Sequence, residues 1–486
     1  MKLKYLFIFS FFILNLLNVV ASDDESKFKE ITLSKSYKEL DYHNPCIANK
    51  FIAEPGVMEY NNRIYVYGTD DGPISSAGTQ KDYQKIFDIS IMSSSDLVNW
   101  SDHGSIRVAD DTTVYDVPII NWGTNCNSPS VVHKTVNGKE KFFLYFAVNS
   151  AKIGILVSDS PIGPWKDAKG SALDLVEQYY GLRYNDPSVF IDNDGSAYLY
   201  YGRGLGQFEN PQTLRVVKLG DDMISIEGNP IKIHAPWALQ GAVMNKIGDT
   251  YLLSYNTYLE DNPYGQRNTV FMTSKSPIGP FGVQGICFKN PGEFFIPTIN
   301  GHHDIIYFKG KYYIFYQAAW LDRTINGSYK GHRATHVDVM PINRNLFGNA
   351  IGTLTGVEQI EYIDPYQINA FYTSAWQAGI TVIGTPGKIT CYKRGDWNGV
   401  SGVNFSKGAK KITINGGCSY DKGATIRITA DSPSGDVLGY VTFPFTSPNF
   451  QVSINVTSEI NNISGVKNIF FVASDTVFLN YYVFSP

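Results

Sequence analysis

A motif that recurs five times along the chain constrains its fold more than any other feature. Each copy opens with a short segment that often ends in Pro, continues as an apolar strand, turns at an Asn, Gly or Asp tip and returns as a Tyr-rich strand. The first three copies run Ala53-Glu54-Pro55-Gly56-Val57-Met58 before RIYVYG, Asn127-Ser128-Pro129-Ser130-Val131-Val132 before KFFLYF, and Asn185-Asp186-Pro187-Ser188-Val189-Phe190 before SAYLYYG. The last two run Leu239-Gln240-Gly241-Ala242-Val243-Met244 before DTYLLSY, and Gly301-His302-His303-Asp304-Ile305-Ile306 before KYYIFY. A period of about fifty to eighty residues belongs to propeller blades with inserted loops rather than to helical solenoids. The repeat therefore predicts an all-β, five-bladed β-propeller.

The symmetry also selects residues. The first strand of a propeller blade lines the central channel, so the polar residue that opens it in each repeat should face a shared axis. Those residues are Glu54, Ser128, Asp186, Gln240 and His302. Polar groups delivered to one place by separate segments are how a fold assembles an active site; a set that merely caps turns is the competing reading.

Two lysines precede a nearly unbroken apolar run, Tyr5 to Val20, and the small residues of Val19-Val20-Ala21 give way to Ser22-Asp23-Asp24-Glu25. This is the pattern of a secretory signal peptide over residues 1–21, with a retained anchor as the alternative, and it predicts a secreted, extracellular protein. No later stretch is apolar for the length needed to cross a bilayer. A chain of 486 residues is too long for one ordinary core and predicts two domains. The net charge of −4 is spread without a basic stripe, which argues against nucleic acid as a partner. With 32 Tyr and 29 Phe beside many amides, the surface suits sugars, whose C–H faces stack and whose hydroxyls hydrogen-bond. Polysaccharide is thus the expected partner of a monomeric chain.

Five cysteines, Cys46, Cys126, Cys287, Cys391 and Cys418, are an odd number without zinc spacing. Cys391 with Cys418 is the pair the sequence favours. Sequons at Asn99, Asn326, Asn404, Asn455 and Asn462 predict surface sites. Trp100, Trp165 and Phe281 end outer-strand echoes, two of which carry a rigid Ser-Pro-Ile-Gly-Pro turn, and are expected to wedge between blades. After a linker over residues 22–40 and a propeller over 41–361, residues 365–486 give short alternating strands with Gly, Asn and Ser turns, which predicts a β-sandwich.

Several of these segments, taken in order, resemble glycoside hydrolase family 43. They are Ala53-Glu54-Pro55, SSDLVNWSDHG from Ser94, Gly154 to Trp165, NDPSVFIDNDGSAYLYYG from Asn185, NGHH from Asn300 and Arg333-Ala334-Thr335-His336. The likeness is to secreted arabinofuranosidase and xylosidase types acting on arabinoxylan. It implies an inverting hydrolysis in which one carboxylate is the general base, a second the general acid and a third orients the acid and tunes its pKa. Inversion needs base and acid on the order of 6.5–9.5 Å apart to admit water.

The resemblance assigns the base to Glu54, where the family has Asp, and the tuner to Asp186. The acid position falls on Gln240, an amide with no proton to give at neutral pH. Substrate-pocket positions fall on Asn127, Trp237, His302 and Arg333, with Asn127-Ser128-Pro129 in place of an aromatic Trp-Ala-Pro. His302 would stand on the axis as ligand or neighbour to a calcium ion or a water; no other cofactor is implied. The C-terminal region, through Gly395-Asp396-Trp397, Phe405 and the closing strand, resembles a family 6 carbohydrate-binding module. Asn369, Phe371, Phe478 and Asn480 replace the residues that hold calcium and ligand in that module, and Trp397 reads as core. Two functions stay open: a glycosidase on O-glycosyl bonds of arabinoxylan with a substituted acid, or a non-catalytic sugar-binding relative.

Overall fold

The computed structural model describes residues 24–110, 117–149, 151–175, 184–203, 214–258, 262–384, 389–449 and 451–486. The expected signal peptide lies outside them. The chain divides into two compact units, one running from Tyr37 to Ile360 and the other formed by the C-terminal region with the N-terminal residues up to Ser36.

The first unit is the five-bladed propeller. Its innermost strands are Lys50–Tyr60, Asn127–Val136, Ser188–Ile191, Ala238–Ile247 and His303–Phe308, and each begins an antiparallel meander paired in sequence order. Each of the five echoes supplies one blade. Between every pair of adjacent blades sits one apolar cluster: Tyr67 with Trp165, Tyr145 with Leu199, Tyr200 with Leu253, Leu252 with Ile314, and finally Phe315 with Trp100. The fifth cluster joins the last blade to the first, so the ring is closed.

The outer aromatics wedge between blades as their positions suggested. Trp165 meets Tyr67 edge-on at 5.9 Å and Trp100 meets Phe315 at 6.1 Å. A hydrogen bond accompanies the wedge: the phenol of Tyr67 donates to Pro161 O, and that of Tyr200 to Pro277 O at 2.6 Å, each in the Ser-Pro-Ile-Gly-Pro turn of the next blade. Tyrosine suits this place because its ring fills the cluster while its hydroxyl reaches a turn carbonyl that has no strand partner. The ring is latched by residues before the first blade. The Asn44 side chain exchanges hydrogen bonds with Val337, Nδ2 to O at 3.0 Å and N to Oδ1 at 2.8 Å, and Cys46 N donates to Thr335 O at 2.8 Å.

The second unit is a sheet-rich sandwich built on two long strands, Trp397–Cys418 and Ile454–Ala473, that pair along most of their length. Residues 24–36, expected as linker, contribute to it. Ser34 Oγ donates to Asp396 at 2.6 Å, Trp397 Nε1 donates to Ser34 O at 2.9 Å, and Phe28 packs on Tyr440. Trp397 is core, 4% exposed. Phe371 is fully buried against Tyr392, Phe471 and Tyr482.

Two expectations are corrected. Cys391 pairs with Phe478 and Cys418 with Val477, on opposite edges of the strand Val477–Ser485. Strands two positions apart are separated by about 9.5 Å, beyond the ~7 Å reach of a disulfide, and consecutive residues face opposite sides. All five thiols are free. Asn99 is not a surface site: it is buried and its Nδ2 donates to Asp96 Oδ2 at 2.6 Å.

Candidate active site

Three of the strand-opening residues share an unusual backbone. Glu54, Ser128 and Asp186 have φ of 49°, 51° and 51°, and each precedes a proline. Left-handed backbone is uncommon for residues other than glycine, and a following proline narrows the choice further, so the chain holds these residues at a cost of about 1–3 kcal/mol each. The fourth blade solves the same problem one residue later with Gly241 at φ 66°. Strand register shifts at the same places, between Ala53 and Gly56, Asn127 and Ser130, and Gln240 and Val243. Such bulges re-aim side chains.

The result is one cavity of about 280 Å³ on which Glu54, Asn127, Asp186, Gln240 and Arg333 converge. Residues separated by as much as 279 positions thus meet. Trp237 and His302 do not reach its wall, although the resemblance placed both at the pocket. His302 is buried, near enough to Glu54 for its charge to lower that carboxyl's pKa.

Glu54 is held on every side. Its Oε1 accepts from Arg333 Nη1 at 2.9 Å, and its Oε2 accepts from Thr69 Oγ1 at 2.5 Å and from Ser128 N at 3.0 Å. Its own N donates to Gln317 Oε1 at 2.9 Å. Burial pushes the carboxyl up, but the Arg333 guanidinium, the nearby His302 and the Thr69 hydroxyl outweigh it and hold it at about 2. Glu54 is therefore ionised at neutral pH and a weaker base than an ordinary carboxylate. Arg333 is fixed in turn by Asp71, which accepts from its Nε at 2.8 Å, its Nη2 at 2.9 Å and its backbone N at 3.0 Å.

The other two positions differ. Asp186 is buried and its Oδ2 has no hydrogen-bond partner, an acceptor left for a ligand or water. Gln240 donates from Nε2 to Gly301 O at 2.9 Å. Since a carbonyl can only accept, the amide nitrogen is assigned without ambiguity. No carboxylate other than Glu54 and Asp186 lines the cavity among the described residues.

Around His302 no three His, Cys, Asp or Glu side chains converge among the described residues. Calcium prefers six to eight oxygen ligands, so an ion beside His302, whose buried Nδ1 has no hydrogen-bond partner, would take most of its ligands from water. A second cavity, about 250 Å³, lies farther along the same five strands beside Val57, Ser130, Ser188, Val243 and Asp304. There burial pushes the Asp304 carboxyl up to about 7, although Val57 N and Ile305 N both donate to it.

Sequence periodicity missed the support residues. Asp71, Thr69 and Gln317 sit on second strands, whose inner ends turn toward the channel only once the blades close. Tyr83, Asn149 and Arg203 reach the cavity from loops or strand ends. The one signal was the acidic pair Asp70-Asp71 directly after the first Tyr-rich strand.

Comparison with known proteins places these features. A model of glycosyl hydrolases family 43 matches residues 42–345, and one of carbohydrate binding module family 6 matches residues 372–486. An arabinoxylan arabinofuranohydrolase of Bacillus subtilis (strain 168) is 34% identical over 469 residues, 90% of this chain and 90% of the relative. One from Paenibacillus polymyxa is 34% identical over 458 residues, 88% of this chain and 71% of the relative. The crystal structure of a family 43 arabinoxylan arabinofuranohydrolase from Bacillus subtilis, in complex with cellotetraose, superposes with a TM-score of 0.88 at 31% identity, covering 93% of this chain and 99% of that one.

Proposed function

The chain belongs to glycoside hydrolase family 43 and carries a family 6 carbohydrate-binding module, and from that premise we propose an exported, arabinoxylan-directed member whose general acid has been replaced. The observation that carries this reading is the convergence of Glu54, Asp186 and Gln240, from three separate blades, on one cavity.

The pocket receives a terminal arabinofuranosyl or xylosyl unit, in keeping with the activity named for the two bacterial relatives. Glu54 takes a proton from a water that attacks the anomeric carbon from the face opposite the leaving oxygen, which inverts the configuration. Asp186, with one oxygen unpartnered, orients the group at the leaving side. Gln240 stands where that group must protonate the leaving oxygen. Its amide offers a hydrogen bond but no transferable proton, so the assisted step loses about 10²–10⁴-fold.

Leaving groups that depart as stable anions escape this penalty. Aryl arabinofuranosides should be cleaved measurably while arabinoxylan is cleaved slowly or not at all. Rapid release of arabinose from arabinoxylan by the unaltered chain would overturn the assignment of Gln240. Silence on both substrates, with xylo-oligosaccharide binding measured by calorimetry, would replace hydrolysis with the non-catalytic binding reading, which the low basicity of Glu54 favours.

A further inference from the structure

The hydrolytic reading leaves two cations of this region unused. Arg203, which follows the strand Ala197–Tyr201, lines the same cavity as Glu54 and Asp186, and its guanidinium makes no hydrogen bond or ion pair among the described residues. Arg267, half-buried, stands close enough for the two charges to repel, and its Nε is buried without a hydrogen-bond partner. Burial and the Arg203 charge both pull the Arg267 pKa down, and only the phenols of Tyr329 and Tyr258 oppose them. Among the described residues no carboxylate pairs with either guanidinium. Arg333 shows what a satisfied cation here looks like, with Glu54 and Asp71 occupying its Nη1, Nε and Nη2.

Two like charges set together in a partly desolvated place repel each other, and an anion bound between them relieves that repulsion. The rest of the wall narrows the identity of that anion. Asn125, Asn127, Asn149, Asn185 and Asn300 present amides suited to sugar hydroxyls, and among the described residues Tyr83 is the one aromatic side chain of the lining. A guanidinium fork matches a planar carboxylate in two parallel hydrogen bonds. We propose that Arg203, backed by Arg267, receives the carboxylate of a uronic acid unit on the bound glycan, so that the pocket selects acidic over neutral decoration. This deepens, and rests on, the reading of the cavity as a sugar site.

The test is calorimetric titration of the full chain with a glucuronic acid-substituted xylo-oligosaccharide, its carboxyl-reduced counterpart and sodium sulfate. The acidic sugar should bind about ten- to a hundredfold more tightly than the reduced one at low salt, with the gap narrowing as salt rises. Arg203→Gln should remove the gap, and Arg203→Lys, which keeps the charge but not the fork, should restore part of it; melting temperatures no lower than that of the unaltered chain show that both variants fold. Equal binding of acidic and reduced sugars overturns this inference and leaves the sugar site standing. Binding of neither overturns both. A preference untouched by Arg203→Gln and by Arg267→Gln, or sulfate binding as tight as the acidic sugar, also overturns the assignment to a uronate.

Discussion

Gln240 donates its amide to the carbonyl of Gly301 at 2.9 Å. A carboxylate in the same place would set two acceptors against each other, a contact that only a proton could relieve. The Gly301 carbonyl would therefore favour the protonated form of a glutamic acid placed at position 240, the state a general acid needs before it acts.

Gln240→Glu should accordingly restore an acid with a raised pKa. Arabinose release from arabinoxylan should rise by about 10²–10⁴-fold, while hydrolysis of aryl arabinofuranosides changes far less. Equal gains on both substrates, or none on either, would show that position 240 is not the proton donor.

Arg333→Gln should raise the Glu54 pKa, because the carboxyl stays buried while its main opposing cation is gone. The acid limb of the pH profile for aryl arabinofuranoside hydrolysis then moves to higher pH. Stability carries the same sign: a group whose pKa is depressed from 4.5 to about 2 by folding adds stability above pH 4.5 that is lost as pH falls toward 2. Chemical denaturation of the variant should lack that acid-dependent loss. At pH 7 it should also be about 3–5 kcal/mol weaker, since buried Glu54 loses its main cation and Asp71 keeps only the Lys81 ammonium, 3.8 Å away.

Asp304→Asn should act in the opposite direction. Burial lifts the Asp304 pKa from 3.8 to about 7, so the folded state binds the proton more tightly than the unfolded state. Stability from this group is full below pH 4 and falls as pH rises to 7, by about 1.4 kcal/mol per pH unit at most. Melting temperatures of the variant between pH 4 and 7 should decline less than those of the unaltered chain; parallel curves would remove Asp304 from the account.

Gly56→Ala tests blade contact. A Cβ at this position would lie 2.1 Å from Pro129 O, a backbone atom of the neighbouring blade. The inner strands would have to separate, at a cost of about 1–3 kcal/mol, read as a lower denaturation midpoint. An unchanged midpoint would mean that the inner strands move apart freely.

The repeat made the propeller legible because each blade states its own strand pattern locally: Pro-led entry, apolar strand, turn, Tyr-rich return. It also pointed to Glu54, Asp186 and Gln240, since a position that recurs in every blade must face the common axis. The supports were not legible in this way. Asp71 carries the same letter whether it grips Arg333 or faces water, and the acidic pair Asp70-Asp71 marks a charge without naming a partner 262 residues away. Asn99 and the pair Cys391 and Cys418 misled for a related reason. A sequon and a cysteine count describe chemistry, while burial and strand register decide whether that chemistry is available.

By itself, the sequence determined the number of blades, the sandwich that follows and the residues that open each inner strand, because these rest on periodicities written within a few dozen residues. Only the closed ring decided that Arg333 holds Glu54, that Trp237 and His302 stand off the cavity wall, and that Arg203 reaches it unpaired among the described residues. Those outcomes depend on distances between segments far apart in the chain, and such distances come into being only when the last blade packs against the first.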